Sequence, residues 1–157
     1  MRELPIKPQI WDAQTDELSE KERELVKKAI EATERSYAPY SRFSVGAALM
    51  LRNGEVIIGC NQENAAFPAG ICAERAAIYS AGAQYPNEPV MMLAIAARNA
   101  LGELQQEPVP PCGICRQVLL ETETRFNQPV RLLLYGQSHV YIVDGVKELM
   151  PLSFTEF

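Results

Sequence analysis

From Leu18 to Thr33 the apolar positions recur at helical spacing. Leu18, Leu25, Val26, Ala29, Ile30 and Thr33 fall on one face. Ser19 is placed to cap this helix, with Glu22 three residues later closing a capping box. The predicted helix runs from about Glu17 or Ser19 to Ser36, and Pro39 stops it. The period then shortens. Phe43 to Leu51 and Glu55 to Cys60 read as strands, joined by Asn53-Gly54, a dipeptide suited to a hairpin turn. Asn61 to Ile71 contains Asn, Pro and Gly and reads as a loop. A second helix starts near Cys72 and is expected to end near Ala81-Gly82, with Gly82 as the glycine just past its end. The continuous apolar run from Val90 to Ala97 predicts a buried strand. A polar, proline-rich loop spans Ala100 to Pro111. A third helix begins at Cys112 or Gly113 and reaches about Phe126. Val130 to Tyr135 and Val140 to Val143 are two more strands; Asp144-Gly145 turns the chain into a short helix over Val146 to Met150 and a tail. Alternating strands and helices predict an α/β layered sandwich around a mixed five-stranded sheet. Residues 1–15 show no period and read as an extended N-terminal arm, with Trp11 expected on the domain surface; residues 16–157 read as a single domain.

Composition narrows the function. The chain has 157 residues, 47% of them hydrophobic, enough for one domain with one packed core. No apolar run approaches the roughly 18 residues of a membrane span. Met1-Arg2-Glu3-Leu4-Pro5 lacks the apolar core of a secretory signal. A net charge of −5 with no basic run argues against a nucleic-acid partner. Four cysteines could form two disulfides, but without a secretion signal they are expected to be reduced in the cytoplasm.

Three of the four cysteines lie in two short segments, Cys72-Ala73-Glu74-Arg75 and Pro111-Cys112-Gly113-Ile114-Cys115. Three protein thiols on a zinc ion leave one position open, whereas a closed four-cysteine site would also need Cys60. Cys60 reads as a buried core thiol. Cys72 opens one helix; Cys112 and Cys115 share a face at the start of another. Both helix N-termini would then lower the thiol pKa values. Glu74 stands where a general base would serve an activated water; its plainer reading is an acid stabilised by the helix dipole. Arg75 could offset the charge of three thiolates or form a surface ion pair. His139, the one histidine, reads as structural or surface.

Tyr40-Ser41-Arg42-Phe43-Ser44-Val45-Gly46-Ala47-Ala48, Gly59-Cys60-Asn61-Gln62-Glu63-Asn64-Ala65, Ile71-Cys72-Ala73-Glu74-Arg75 and Pro111-Cys112-Gly113-Ile114-Cys115-Arg116-Gln117-Val118-Leu119 closely resemble the cytidine deaminase family. The resemblance is to its short, homotetrameric, three-cysteine branch and runs from about Leu18 to Phe154. It implies a three-layer α/β/α sandwich, one Zn²⁺ per chain on Cys72, Cys112 and Cys115, and Glu74 as the proton shuttle. It implies that the Cys72 N–H and Ala73 carbonyl lie near the reacting group, and that Arg75 hydrogen-bonds thiolate sulfurs. Asn61 and Glu63 would contact the ribose hydroxyls and Phe43 the pyrimidine ring. Ala65, Phe67 and Phe154 would reach a neighbouring subunit's site. Phe67 stands where tyrosine is common, and Thr155-Glu156 replaces the usual Gly-Pro after Phe154.

The implied activity is hydrolysis of cytidine and 2′-deoxycytidine to uridine and 2′-deoxyuridine plus ammonia, in cytoplasmic pyrimidine salvage. The expected partner is a free nucleoside, with no nucleic acid and no membrane. Two alternatives stand beside it: a deaminase of another aminated ring, such as blasticidin S, guanine or a nucleic-acid base, and a non-catalytic structural zinc module.

Overall fold

The computed structural model describes residues 1–155. Its elements in chain order are β1 (Ile10–Ala13), α1 (Glu20–Ala32), β2 (Ser44–Leu51), β3 (Val56–Cys60), α2 (Ala73–Gln84), β4 (Val90–Arg98), α3 (Gly113–Phe126), β5 (Arg131–Tyr135) and β6 (Val140–Asp144). The strands form one mixed sheet in the order β1-β6-β5-β4-β2-β3. The β4–β5 pair is parallel and the other neighbours are antiparallel.

The sheet has six strands, not the expected five. The extra one is the end of the N-terminal arm, where Ile10–Ala13 pairs with Val143–Val140 of β6. Four residues at a sheet edge carry too little apolar alternation to show a period, so pairing with β6 is what makes them a strand. Trp11 lies in this strand and is largely exposed.

The two faces of the sheet carry different helices. Leu25, Val26 and Ala29 of α1 pack on Ala48, Ala94, Leu133 and Val140. Ala73, Ala77 and Ile78 of α2 and Leu119 and Leu120 of α3 pack on Leu49, Leu93, Leu132 and their neighbours on the other face. The result is a three-layer α/β/α sandwich. α1 starts as its sequence specifies: the Ser19 hydroxyl accepts from the Glu22 amide, and the Glu22 carboxylate accepts from the Ser19 amide at 2.8 Å. Its regular turns end at Ala32, and a single 3-10 turn over Thr33–Arg35 follows.

α2 runs past Gly82 to Gln84 and is capped by Tyr85, so Gly82 is not its terminal glycine. A Cβ at Gly82 would meet open space. An exposed helix interior tolerates the modest cost of glycine, and the Gln84 side chain donates to the Ser80 hydroxyl at 2.8 Å across the last turn. The loop after β3 is pinched shut, because Gln62 and Ile71 exchange both backbone hydrogen bonds at 3.0 and 2.9 Å. Glu123, buried in α3, accepts from the Val130 and Val146 amides at 2.9 and 2.8 Å and so fastens the end of α3 to β5 and to the turn after β6.

Gly59 sets the height of α2 above the sheet. A Cβ there would lie 2.3 Å from the Ala73 carbonyl oxygen and 2.5 Å from the Ala77 amide. Backbone on both sides leaves nothing flexible to yield. Overpacking of this kind costs roughly 1–3 kcal/mol. Gly59→Ala is therefore expected to lower the melting temperature by about 5 °C, at roughly 2–4 °C per kcal/mol for a chain of this size. Thermal melts of parent and variant check this; an unchanged melting temperature would contradict the close approach.

Candidate active site

Two helix N-termini converge on one point. Cys72 is the N-cap of α2 and Cys112 the N-cap of α3. Such positions normally carry Ser, Thr, Asp or Asn, whose oxygens accept from the first free amides. Neither cysteine makes a side-chain cap bond. Their sulfurs face each other instead, 3.8 Å apart. Cys115, the third residue of α3, is fully buried, and all three sulfurs lie within 4.8 Å of one another.

The three thiols are free cysteines. Two sulfurs at about 2.3 Å from one tetrahedral zinc ion stand about 3.8 Å apart, which is the Cys72–Cys112 separation. Soft thiols at the positive ends of two helices are a donor set for zinc. Cys60 does not join them. It is half-buried rather than a core residue, and its thiol contacts the Arg35 carbonyl at 3.2 Å. That open position at the end of β3 is why its core reading fails. His139 also lies elsewhere, with Nδ1 at 2.7 Å from the Ser138 hydroxyl.

Within the cluster the thiols differ. A hydrogen bond from Cys115 does most to lower the Cys72 pKa to about 5, with Arg75 and Cys112 adding to it against the opposing effect of burial. The same contact with Cys72, and burial, push Cys115 well above the ordinary thiol range. Thiols bind a cation as thiolates, so an arriving cation displaces whatever protons they carry. Arg75 Nη2 donates to the Cys72 sulfur at 3.7 Å. That bond is the main reason its own pKa is raised.

Glu74 is 4% exposed. Burial raises its carboxyl pKa, and the negative charge on Cys72 raises it further. Its position one residue into α2, beside Cys72, places an acid that can hold a proton at the edge of the thiol cluster.

Cys72, Cys112, Glu74 and Arg75 open onto a cavity of about 490 Å³, within the usual range for a small-molecule site. Cys72, Ala73, Glu74, Arg75 and Cys112 line one part of it; Phe43, Asn61, Glu63 and Phe67 line another. Phe43 lies just ahead of β2 and is half-buried. Asn61 is fixed by its own backbone neighbours: its Oδ1 accepts from the Val45 amide and its Nδ2 donates to the Phe43 carbonyl, both at 2.8 Å. Glu63 accepts from the Tyr40 amide at 2.9 Å, the Ser41 amide at 3.2 Å and the Ser41 hydroxyl. The Ser41 hydroxyl bond is the largest cause of its lowered pKa. An amide has two donors and two lone pairs, and a carboxylate about four acceptor sites. Asn61 therefore keeps a donor and an acceptor, and Glu63 one acceptor, for a ligand.

Cys115 lies outside the cavity lining. Ala65 and Phe154 also lie outside it, and both are exposed. Phe67 is 76% exposed, and its ring meets Tyr40 edge-on at 5.9 Å. The chain beyond Thr155, including Glu156, lies outside the described residues. Sequence reasoning assigned no role to Tyr40, Ser41, Val109 or Pro110, which also line the cavity. The Asn and Ser content of these loops marks them as turns but does not show that Ser41 meets Glu63 across 22 residues of sequence.

A family model described as the cytidine and deoxycytidylate deaminase zinc-binding region matches residues 19–127. A cytidine deaminase of Halalkalibacterium halodurans is 45% identical over 131 residues, covering 83% of this chain and 92% of that protein. A cytidine deaminase of Mycobacterium tuberculosis is 40% identical over 109 residues, covering 66% of this chain and 74% of that one. The crystal structure of a cytidine deaminase from Burkholderia pseudomallei superposes with a TM-score of 0.73 at 34% identity, covering 87% of this chain and 100% of that chain. With two capping cysteines, a third thiol beside them and the buried Glu74 in the matched region, the chain belongs to the cytidine and deoxycytidylate deaminase family.

Proposed function

We infer that this protein is a zinc-dependent deaminase that hydrolyses cytidine and 2′-deoxycytidine to uridine and 2′-deoxyuridine with release of ammonia, in cytoplasmic pyrimidine salvage. The observation that carries this reading is the buried Glu74 beside three clustered thiols, in a cavity that also presents Phe43, Asn61 and Glu63. Relatives named cytidine deaminase, up to 45% identical among those compared, support the same activity.

Cys72, Cys112 and Cys115 would hold one zinc ion per chain. Zinc there supplies Lewis acidity that makes water a nucleophile near neutral pH. Glu74 takes one proton from the water that adds to C4 of the pyrimidine and delivers it to ring N3. It then carries the second proton to the amino group, which leaves as ammonia while the C4 carbonyl forms. Burial suits the side chain to this, because a raised pKa moves the carboxyl towards the working pH, where it can both take and give a proton. Arg75 draws charge from the thiolates. The Cys72 N–H and Ala73 carbonyl would lie near the reacting group, and Phe43 would pack against the ring.

The remaining donor of Asn61 and the remaining acceptors of Asn61 and Glu63 suit sugar hydroxyls, which both donate and accept. That pairing favours a free nucleoside over blasticidin S or guanine. The net charge of −5 disfavours a nucleic acid. A structural zinc module has no use for a buried acid opening on a cavity of about 490 Å³. No helix of the described residues is long and apolar enough to cross a membrane.

We also propose that the active form is a homotetramer in which Ala65, Phe67 and Phe154 complete a neighbour's cavity. Phe67, in the cavity lining, is 76% exposed, and Phe154, outside it, is 66% exposed, so each presents apolar surface that a neighbouring chain would cover. Sedimentation at assay concentration is expected to give four chains per particle, and truncation from Ser153 onward to raise KM while the fold persists. An active monomer, or an unchanged KM, would count against it.

The catalytic assignment is tested on Glu74→Gln. Gln keeps the shape but carries no proton, so turnover should fall by at least about 10⁴, the top of the range for general acid–base catalysis. Zinc content and melting temperature should stay near those of the parent. Arg75→Gln should retain zinc and lose part of the rate. If Glu74→Gln turns over cytidine within about tenfold of the parent, Glu74 is only a helix-end acid.

A further inference from the structure

Arg116 follows the third cysteine and makes two bonds in different directions. Its Nε donates to the Pro111 carbonyl at 2.9 Å, and its Nη1 donates to the Leu149 carbonyl at 2.8 Å. Pro111 is the residue immediately before Cys112, on the buried side of the turn that enters α3. Leu149 is the last residue of the short turn Val146–Leu149, and from it the chain leads through Pro151 to Phe154. One guanidinium thus fastens the segment that carries Cys112 to the start of the C-terminal segment, reached 33 residues beyond Arg116 itself. Both acceptors are main-chain carbonyls outside the sheet ladders, so the contact fixes backbone position and not a side-chain rotamer. A planar guanidinium can serve two such acceptors at once from a fixed fork. A lysine ammonium is a single point on a flexible stem.

We propose that Arg116 is a positioning residue for the metal-holding turn: it locks Pro111-Cys112 against the Val146–Leu149 turn, so that zinc retention and docking of the C-terminal segment are coupled. The inference rests on the zinc site described above. Coupling of this kind is reciprocal: whatever tightens zinc binding through Arg116 also tightens the docked segment, by the same factor. In the assembled protein this would connect the metal turn of one chain to the segment that leads to Phe154.

The test uses the full chain in three forms: parent, Arg116→Gln and Arg116→Lys. Zinc affinity is read by competition with a chromogenic chelator, and amide hydrogen exchange over residues 147–150 is read with and without zinc. Loss of a group that supports a ligand from outside typically weakens metal binding by about 10–100-fold. Arg116→Gln is expected to show a loss of that order, with Arg116→Lys in between. Zinc should slow exchange at 147–150 in the parent and have little effect in Arg116→Gln. A merely structural role would lower the melting temperature of the zinc-free protein and leave zinc affinity within about twofold of the parent; that result overturns the proposal. Should Arg116→Gln not fold, Arg116→Lys decides the matter, since it keeps the charge and the stem but not the fork. The competition reads zinc and not turnover. A parent that holds zinc but leaves cytidine intact would sink the deaminase reading, while the Arg116 comparison still decides this one.

Discussion

Three thiols within 4.8 Å of one another are the constraint on which the rest of the molecule depends. Such a cluster crowds negative charge once a cation draws off its protons, and the surroundings must offset it. Two helix N-termini do so with their free amides, because Cys72 and Cys112 occupy the cap positions and leave those amides unblocked by side chains. Arg75 does so directly at the Cys72 sulfur. Gly59 lets the first turn of α2, which follows Cys72, approach the sheet closely. The position of the cluster is thus set by backbone packing, with Glu123 fastening the far end of α3.

The other side of the cavity solves a different problem. Asn61 commits one donor and one acceptor to the backbone of Phe43 and Val45, and Glu63 commits three of its about four acceptor sites to Tyr40 and Ser41. That expenditure fixes their orientation before any ligand arrives, and it leaves only a few directed valences. Preorganised groups of this kind lose little freedom on binding. The Ser41 hydroxyl also accepts from the Phe43 amide at 3.1 Å, so the residue that steadies Glu63 steadies Phe43 too.

Much of this was legible in the sequence because it rests on local rules. The Ser19–Glu22 capping box, the Asn53-Gly54 hairpin and the paired cysteines of the third helix each follow from residues a few positions apart. The features that were not legible depend on distant partners. β1 is a strand because β6 offers an edge. Gly82 continues α2 because nothing crowds it. Cys60 lies half-exposed because the chain leaves the sheet there. The contacts of Arg116 with Leu149 and of Glu123 with Val146 span long stretches of chain and leave no periodic trace. For the site, the cysteine spacing pointed to a metal and the resemblance to its chemistry, but only the folded chain shows that Ser41 meets Glu63 and that Asn61 is tied to Val45 in the strand that begins at Ser44.

The central claim is that the thiol cluster and Glu74 work as one metal-dependent deamination centre. The most direct measurement is ammonia release from cytidine by one preparation as purified, after removal of zinc by a chelator, and after zinc is returned, with bound metal determined at each stage. The account predicts that release follows the zinc content, disappearing with the metal and recovering as it is restored. Deamination that continues at the original rate in zinc-free protein would contradict it.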